Sequence, residues 1–452
     1  MHNNQKIPLY EKISYGLGDT ACNLIYMVVT TYLTFYFTDV YGISVTVVGV
    51  LMLAVRFLDM IDSPVLGILI DKTNTRWGKS RPWILWFCIP FAASCIMLFW
   101  GPDLSATGKM IYAFAAYVMV SVFYSCVNNP LSTMLPSLTS DQQERTVANT
   151  FRMLGGQFGG LIVNMTLLPL VAFLGAGDMQ KGFFATLCLY AVVGVALLLI
   201  TFFNTRERVE TSSSKQSLPF KEGIKSIKGN TPWLMALLLT IFCYICYTQR
   251  STAAIYYLTY YIGQPDVVPI VNSLAMCSIL GLFMVPFLTR HFDKRWVILV
   301  GYAVFALGQF IIFLGDKNLW IIYFGTVFGA IGKGFTSGLL FVMIADTVDF
   351  GEWKSGIRAQ GLLVSTAAGI GIKLGAGLGG AIPMWILASG GYVANQPQSQ
   401  ESMNAIVASY IWVPIAFALI CVLILLFFKY EKPFNEIIAD LNERNKNKQP
   451  AQ

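Results

Sequence analysis

Charge is scarce in this chain of 452 residues: charged side chains make up 12% of it, whereas hydrophobic side chains make up 56%. So few charges cannot cover the surface of a soluble protein of this length, and the same figures exclude disordered and coiled-coil proteins. Histidine is rarer still, with two residues, His2 and His291, both outside the apolar runs. The sequence therefore excludes a histidine-based catalytic site inside an apolar segment.

Motifs of catalysis and of nucleotide binding are also lacking. Neither HExxH nor GxSxG occurs, and Gly78-Lys79-Ser80 is preceded by Thr73 where a P-loop requires its first glycine. Glycines recur within the apolar stretches 155–160 and 371–380, which indicates close helix packing rather than a dinucleotide site. All nine cysteines fall in apolar runs and are expected to pack there. We expect no enzyme, no cofactor and no nucleic-acid partner.

Long uncharged runs are abundant instead. Eight of them have 19 or more residues, beginning with Thr20 to Thr38. About 20 apolar residues suffice to cross a bilayer as a helix. Four more spans emerge when a few charges are tolerated, around Arg56, Arg250, Lys333 and Lys373. The sequence therefore predicts an all-α integral membrane protein with twelve transmembrane helices in two six-helix bundles.

Basic residues are divided unequally between the two sets of loops. Most of the 31 lysines and arginines fall on one set, whereas the other set holds Lys109, Lys181 and Lys317. Because basic loops stay in the cytoplasm, we expect a multi-pass plasma (bacterial inner) membrane protein with both termini cytoplasmic. A polar central loop (205–230) would separate a first bundle (1–204) from a second (231–430). The cytoplasmic tail (431–452) has the pattern of a short amphipathic helix: Phe434, Ile437, Ile438 and Leu441.

The second predicted span carries charges on one helical face. Arg56, Asp59, Asp62 and Ser63 are spaced so that they share one side of a helix. Charges inside a bilayer are costly and so mark functional candidates. Two carboxylates beside a hydroxyl favour binding of Na⁺ or uptake of a proton. The alternative is a structural pair of Arg56 and Asp59, with Asp62 near water at the helix end.

Basic side chains outnumber acidic ones within the predicted spans. A cavity with net positive charge favours an anionic substrate such as a uronate. The alternative is that some of these long side chains reach the membrane surface. The basic set is Arg56, Arg152, Arg250, Lys333 and Lys373, and the acidic set is Asp19, Asp59 and Asp62.

Polar groups beside aromatic rings are what sugar binding requires. They occur in the first span at Asn23, in the fourth at Tyr124, Asn128 and Asn129, and in the seventh at Tyr247, Thr248 and Gln249. Aromatic belts at the membrane interface would account for much of the high aromatic content as well.

The sequence resembles the glycoside–pentoside–hexuronide:cation symporters, the melibiose-carrier branch of the major facilitator superfamily. Four stretches carry the resemblance: Lys12-Ile-Ser-Tyr-Gly-Leu-Gly-Asp19, Arg56-Phe-Leu-Asp59, Thr75-Arg-Trp-Gly-Lys-Ser-Arg-Pro-Trp83 and Ala345-Asp-Thr-Val-Asp-Phe-Gly-Glu-Trp353. It runs from about Lys12 to Tyr430, nearly the whole chain. It implies the major facilitator fold and sugar uptake driven by Na⁺ or H⁺.

The resemblance also implies residue roles. The family's cation site has two aspartates with an asparagine between them and a hydroxyl in the fourth span, and these positions are Asp59, Ser63, Asp62 and Ser125 here. The carboxylate pair is therefore displaced by one residue, which leaves both H⁺ and Na⁺ open. The melibiose carrier's two sugar-binding acids fall on Asn23 and Asn128, whereas its arginine and lysine fall on Arg152 and Lys373. Loss of both acids is more similar to glucuronide and pentoside carriers.

Cytoplasmic loops provide groups suited to gating. Basic Arg76, Lys79 and Arg81 follow the second span, and acidic Asp346, Asp349 and Glu352 follow the tenth. Ion pairs between the two sets would hold one conformation of a carrier and break in the other. The alternative is that the basic residues only obey the positive-inside rule.

We therefore expect a secondary active transporter that carries a glycoside with H⁺ or Na⁺, with a hexuronide such as a glucuronide favoured. A pentoside (xyloside) is the alternative substrate, and an amphipathic lipid transporter is the alternative class. The expected partners are the sugar, the coupling cation and the lipid bilayer, with the protein a monomer and any metal limited to Na⁺ at Asp59 and Asp62. The predicted substrate contacts are Asn23, Tyr124, Asn128, Arg152, Arg250 and Lys373.

Overall fold

The computed structural model describes residues 6–139, 141–208, 229–356 and 360–429, with residues 436–437, 439–441 and 443 of the tail. Within those ranges the regular structure is helical, apart from an isolated β-bridge between Thr75 and Gly78. The predicted all-α class is therefore confirmed.

Twelve long segments, here α1 to α12, account for most of the described ranges. The first six are α1 (Leu9–Phe35), α2 (Val45–Lys72), α3 (Arg81–Leu98), α4 (Ala106–Thr133), α5 (Gln142–Gly175) and α6 (Met179–Asn204). The second six are α7 (Thr231–Tyr256), α8 (Val268–Leu274 with Ser278–Leu288), α9 (Lys294–Gly315), α10 (Leu319–Ser355), α11 (Gln360–Ser389) and α12 (Gln400–Val407 with Val413–Phe427).

Eleven of these segments are long and apolar enough to cross a membrane, counting the described residues alone. The other segment, α2, has 28 residues. A helix rises about 1.5 Å per residue, so α2 is also long enough to span a bilayer. It differs because Arg56, Asp59 and Asp62 interrupt its apolar surface. The twelve predicted spans thus correspond to eleven apolar helices and one charged helix.

Several helices begin at a polar residue that caps the first turn. Ser105, Asp141, Asp178 and Asn318 precede α4, α5, α6 and α10, and each side-chain oxygen accepts a hydrogen bond from a backbone N–H of that turn. Short polar side chains satisfy the unpaired donors at a helix start in this way. The connections between spans are therefore set by local sequence.

Five-residue π-helical turns interrupt or extend three of the segments. They comprise Tyr36–Val40 after α1, Tyr257–Tyr261 after α7 and Ala408–Trp412 within α12. Such turns are rare in proteins and are often found at functional sites. The first two recur in the two halves of the chain at equivalent places.

The chain divides into two compact units. Unit 1 comprises Met1–Lys215, Ser251–Ser273 and Ala381–Ile406, and unit 2 comprises Gln216–Arg250, Leu274–Gly380 and Val407–Gln452. Unit 1 therefore contains the first half of the chain with two segments of the second half. The domain boundaries expected from the sequence stay a prediction, and much of the central loop (209–228) lies outside the described residues.

Glycines bring helix backbones into contact within each unit. In unit 1, a Cβ on Gly155 of α5 would lie 2.0 Å from the carbonyl oxygen of Gly16 in α1. In unit 2, a Cβ on Gly375 of α11 would lie 2.5 Å from the carbonyl oxygen of Ile241 in α7. Both distances are too short for any side chain, so the glycine-rich stretches serve close helix packing.

Two residues of the predicted tail helix are buried in unit 2. Ile437 and Leu441 pack with Phe350 at the end of α10, where Trp353 is also in contact. The Trp353 indole N–H donates to the Asp440 carboxylate at 2.9 Å. Phe434 and Ile438, which belong to the same predicted pattern, lie outside the described residues.

Candidate cation and substrate sites

Asp59 is buried within unit 1 and held by donors from two helices. Its side chain is 4% exposed. The Arg56 guanidinium, one turn earlier in α2, donates to its Oδ2 at 3.0 Å, and the Ser121 hydroxyl of α4 donates to its Oδ1. The expected pairing of Arg56 with Asp59 is therefore present. A guanidinium and a hydroxyl thus replace the water that this carboxylate loses on burial.

The remaining residues of the predicted cation site lie close to Asp59 along their helices. Asp62 is half-buried one turn further along α2. Ser125 is buried in α4, one turn beyond Ser121, so the hydroxyl that reaches Asp59 comes from Ser121 instead. The side chain of Ser63 lies outside the described residues.

No group of three or more histidine, cysteine, aspartate or glutamate side chains with metal-site geometry occurs in the described part of the chain. Two carboxylates and hydroxyls are what this region of unit 1 offers to a cation. That set suits a proton or a weakly held Na⁺ better than a tightly bound divalent ion.

Tyr26 of α1 connects the carboxylate site with the predicted sugar contacts. Its hydroxyl accepts from the same Arg56 nitrogen that binds Asp59, at 2.8 Å. Its ring stacks on Tyr124 of α4, with ring centroids 3.7 Å apart and planes 9° from parallel. A change in the position of Arg56 would therefore shift Tyr26 and, through the stacked rings, Tyr124. Tyr26 is not among the site residues that the sequence predicts.

The predicted contacts on α1, α4 and α5 lie close together in unit 1. The Asn23 side-chain amide donates to the Asp19 carbonyl at 2.9 Å. Gly156 of α5 faces this pair, because a Cβ there would lie 2.4 Å from the Asp19 carboxylate and 3.1 Å from the Asn23 amide. Arg152 is half-buried on the same helix, and its charge acts on Asp19.

Asn128 is linked to Arg152 through Ser132. Arg152 donates to the Ser132 hydroxyl at 2.8 Å, and that hydroxyl donates to the backbone carbonyl of Asn128 at 3.1 Å. Arg152 also donates to the Asn149 side chain at 3.3 Å. Its guanidinium is therefore oriented by neutral groups of α4 and α5.

Arg250 is held by three other segments of unit 2. It donates to Gln309 of α9 at 2.8 Å, to Thr326 of α10 at 3.4 Å and to the Tyr410 hydroxyl of α12 at 3.1 Å. It also lies over the Tyr410 ring at 5.1 Å from the centroid. These partners are neutral, so they fix the guanidinium in place without cancelling its charge.

The other two intramembrane cations of unit 2 are Lys333 and Lys373. The Lys333 ammonium lies 5.2 Å from the centroid of the Tyr247 ring, and it interacts electrostatically with Arg250. Lys373 is half-buried on α11. Unit 2 therefore places Arg250 and Lys333 near one another, with an aromatic ring beside each.

The predicted gating residues each have contacts within their own unit. In unit 2, Asp346 binds Lys294 at 2.6 Å, and Asp349 and Glu352 follow on α10. In unit 1, the Glu207 carboxylate accepts hydrogen bonds from the backbone N–H groups of Lys79, Ser80 and Arg81, at 2.9, 2.8 and 2.9 Å. The Arg76 guanidinium lies over the Trp77 ring. Ion pairing between the basic and acidic sets stays a prediction.

A family model described as "MFS/sugar transport protein" matches residues 14–432. An isoprimeverose transporter of Lactiplantibacillus pentosus is 40% identical, over 98% of this chain and 93% of that protein. The inner membrane symporter YicJ of Escherichia coli (strain K12) is 33% identical, over 91% of this chain and 89% of that protein.

A solved structure supports the fold. The crystal structure of a D-xylose–proton symporter superposes with a TM-score of 0.65 at 14% identity, covering 93% of this chain and 98% of that chain. At that identity the likeness concerns the fold alone, and it is the major facilitator fold. The predicted fold and family resemblance are both confirmed.

Proposed function

The chain belongs to the MFS/sugar transport protein family, and on that premise we propose that it couples uptake of a glycoside to entry of H⁺ or Na⁺. It is a transport protein and not an enzyme. Its orientation, with the basic loops and both termini in the cytoplasm of a bacterial inner membrane, is part of the proposal.

The observation that carries the coupling is the arrangement around Asp59. Its charge is balanced by Arg56 at 3.0 Å. A proton or Na⁺ on Asp59 would take over that role and release the guanidinium. Arg56 also binds Tyr26, whose ring stacks on Tyr124. Cation binding at Asp59 thus alters the surface against which the sugar lies, and by linkage sugar must favour cation binding to the same extent.

A neutral glycoside that contains a pentose is the substrate that these observations favour. In unit 1 the basic groups have acidic counterparts: Arg56 pairs with Asp59, and Arg152 lies within electrostatic reach of Asp19. That half of the predicted contacts therefore does not need an anionic substrate. The 40% identity to an isoprimeverose transporter supports the same choice.

A hexuronide is the second candidate, favoured by the charges of unit 2. Arg250 is bound by neutral partners and lies within electrostatic reach of Lys333. A guanidinium that keeps its charge attracts a carboxylate. The sequence favours the hexuronide because the basic residues of all the predicted spans together outnumber the acidic ones. Arg56 and Arg152 each lie near an acidic side chain, whereas Arg250 is bound by neutral groups.

Uptake into proteoliposomes tests both the class and the substrate. Radiolabelled p-nitrophenyl xyloside and p-nitrophenyl glucuronide would each be offered under a proton gradient or a Na⁺ gradient. We expect gradient-driven accumulation of the xyloside and its loss in Asp59→Asn, since the carboxylate that accepts the cation is gone. Asp103→Asn, which removes an exposed carboxylate outside the helices, is the matched control.

The outcomes separate the alternatives. Accumulation of the glucuronide alone would replace the pentoside with the hexuronide. Accumulation that survives in Asp59→Asn would contradict the coupling site. A failure to accumulate either sugar would contradict glycoside transport and leave the amphipathic-lipid transporter.

A further inference from the structure

Another buried carboxylate of unit 1 lies just beyond the end of α1. Asp39 belongs to the π-helical turn Tyr36–Val40 and is 7% exposed. Its Oδ1 accepts from the hydroxyls of Tyr260 and Tyr392, the latter at 2.6 Å, and its Oδ2 accepts from Thr38 at 2.5 Å. The first two donors come from segments 251–273 and 381–406, the parts of the second half of the sequence that belong to unit 1.

The turn that contains Asp39 has a counterpart in the second half of the chain. Both π-helical turns follow the pattern Tyr-x-Thr-x-x-x-Gly, from Tyr36 to Gly42 and from Tyr257 to Gly263. Both glycines have a φ of +77°, which a side chain would strain.

The backbone closes in the same way in the two turns. In each, the residue before the glycine donates to the carbonyl of the first tyrosine, at 2.8 Å from Tyr41 and 3.0 Å from Ile262. With this alignment Asp39 is equivalent to Tyr260. The carboxylate of one repeat thus accepts from the hydroxyl at the equivalent position of the other, which is the contact expected of two structural repeats.

Further contacts bind the loop after α11 to the backbone of Asp39 and to the tyrosines around its carboxylate. The Asn395 side-chain amide donates to the Asp39 carbonyl at 2.6 Å, and its backbone N–H donates to the Tyr260 hydroxyl at 3.1 Å. The Tyr392 ring meets Tyr256 and Tyr260 edge-on, with centroids 5.5 and 5.3 Å away. Tyr256 in turn shares a hydrogen bond with Thr38 at 2.8 Å.

All the donors to the Asp39 carboxylate among the described residues are neutral hydroxyls. A buried carboxylate without a basic partner depends on every such donor, because losing one leaves part of its desolvation uncompensated. Two arrangements satisfy the charged carboxylate: all hydroxyls bound, or the carboxylate exposed to water. A contact with two such states can act as a switch between conformations.

We propose that Asp39, Tyr260 and Tyr392 form a latch that closes the outer side of the transport pathway. The proposed topology places this turn on the side opposite the basic loops, where sugar arrives. The latch is closed here, so sugar from outside reaches α1 after Tyr260 and Tyr392 leave Asp39. The inference rests on the proposed symport, because a carrier that alternates must close this side while the other is open.

Labelling from outside intact cells tests the latch without any substrate. Thr34 is 5% exposed and lies one turn before Thr38. A cysteine introduced as Thr34→Cys would react with a membrane-impermeant maleimide after the latch opens. Peptide mass spectrometry reports this site separately, so the native cysteines stay in place.

The variant that lacks both tyrosine hydroxyls has a clear expected effect on labelling. Tyr260→Phe with Tyr392→Phe leaves the carboxylate buried without two donors, which destabilises the closed state. We expect labelling at position 34 to rise about tenfold or more, the scale of a hydrogen bond to a charged group. Adding Asp39→Asn should return it towards the parent, because no buried charge then needs those donors. Tyr323→Phe is the matched control, since the Tyr323 hydroxyl makes no hydrogen bond within the described ranges.

Sugar uptake by the same variants provides a second readout. The double phenylalanine variant should have a lower maximal rate of uptake and an external KM that does not rise. More of its carriers have the outer side open, where sugar binds, and fewer complete the transport cycle. Unchanged labelling in the double variant would overturn the latch, and so would increased labelling that Asp39→Asn fails to reverse. If no sugar were transported, the labelling would still decide the latch, so the two proposals fail separately.

Discussion

At the scale of single residues, the coupling argument depends on one shared nitrogen. The same Arg56 nitrogen donates to Asp59 at 3.0 Å and to the Tyr26 hydroxyl at 2.8 Å. Whatever replaces Arg56 at Asp59 therefore also changes the hydrogen bond to Tyr26. A carboxylate bound only by its own helix would not transmit cation binding to α1.

Tyr26→Phe tests this connection. The ring and its stacking on Tyr124 remain, but the hydroxyl that binds Arg56 is lost. We expect a fall of about tenfold in gradient-driven uptake, since a hydrogen bond to a charged group contributes about 1.4 kcal/mol or more. Sugar exchange at equal cation concentrations on both sides should fall less. Initial rates in proteoliposomes measure both, with Tyr323→Phe as control, and equal losses in the two assays would contradict a role in coupling.

Residues of the site differ in how far the sequence predicts them. Asp59 and Arg56 stand out because charge is rare in a span. Ser121 was missed in favour of Ser125, because choosing between two serines one turn apart requires the position of α4 against α2. Asp39 was missed because it follows directly after the uncharged run Thr20–Thr38 and reads as the end of a span. Its burial arises from tyrosines more than 200 positions away.

At the scale of elements, small residues set how closely helices approach. Gly375 of α11 meets the Ile241 carbonyl of α7, whereas Gly369, earlier in the same helix, has open space where a Cβ would lie. Spacing in the sequence identified the glycine stripe but not which members touch a neighbour. The two glycines therefore form a matched pair for substitution.

Gly375→Ala and Gly369→Ala should affect stability in opposite directions. A methyl group 2.5 Å from a backbone oxygen forces α11 away from α7, and such overpacking typically costs about 1–3 kcal/mol. Alanine at position 369 meets nothing, so higher helix propensity favours it by up to about 1 kcal/mol. Thermal unfolding of the purified protein in detergent measures the difference. Equal melting temperatures would contradict the close contact.

At the scale of the whole molecule, hydropathy predicts the spans but not the compact units. The uncharged runs locate eight helices, and the other four, around Arg56, Arg250, Lys333 and Lys373, emerge when a few charges are tolerated. The grouping of 251–273 and 381–406 with the first half of the chain has no local signal. It depends on contacts such as those of Tyr260 and Tyr392 with Asp39, which tertiary structure alone creates. Local sequence patterns predict which residues are buried and which segments are helical. They do not predict which distant segments pair with each other.

The orientation of the molecule is the last property that the charge pattern predicts. The loop between α2 and α3 carries Arg76 and Lys79, and α3 begins at Arg81, whereas the loop between α3 and α4 carries the acidic Asp103. Retention of basic loops in the cytoplasm places the first loop inside and the second outside. In intact cells, a membrane-impermeant maleimide should therefore react with Asp103→Cys and spare Asn74→Cys. Inside-out vesicles should reverse the pattern, and a reversed result in intact cells would invert the topology on which the latch and the direction of uptake depend.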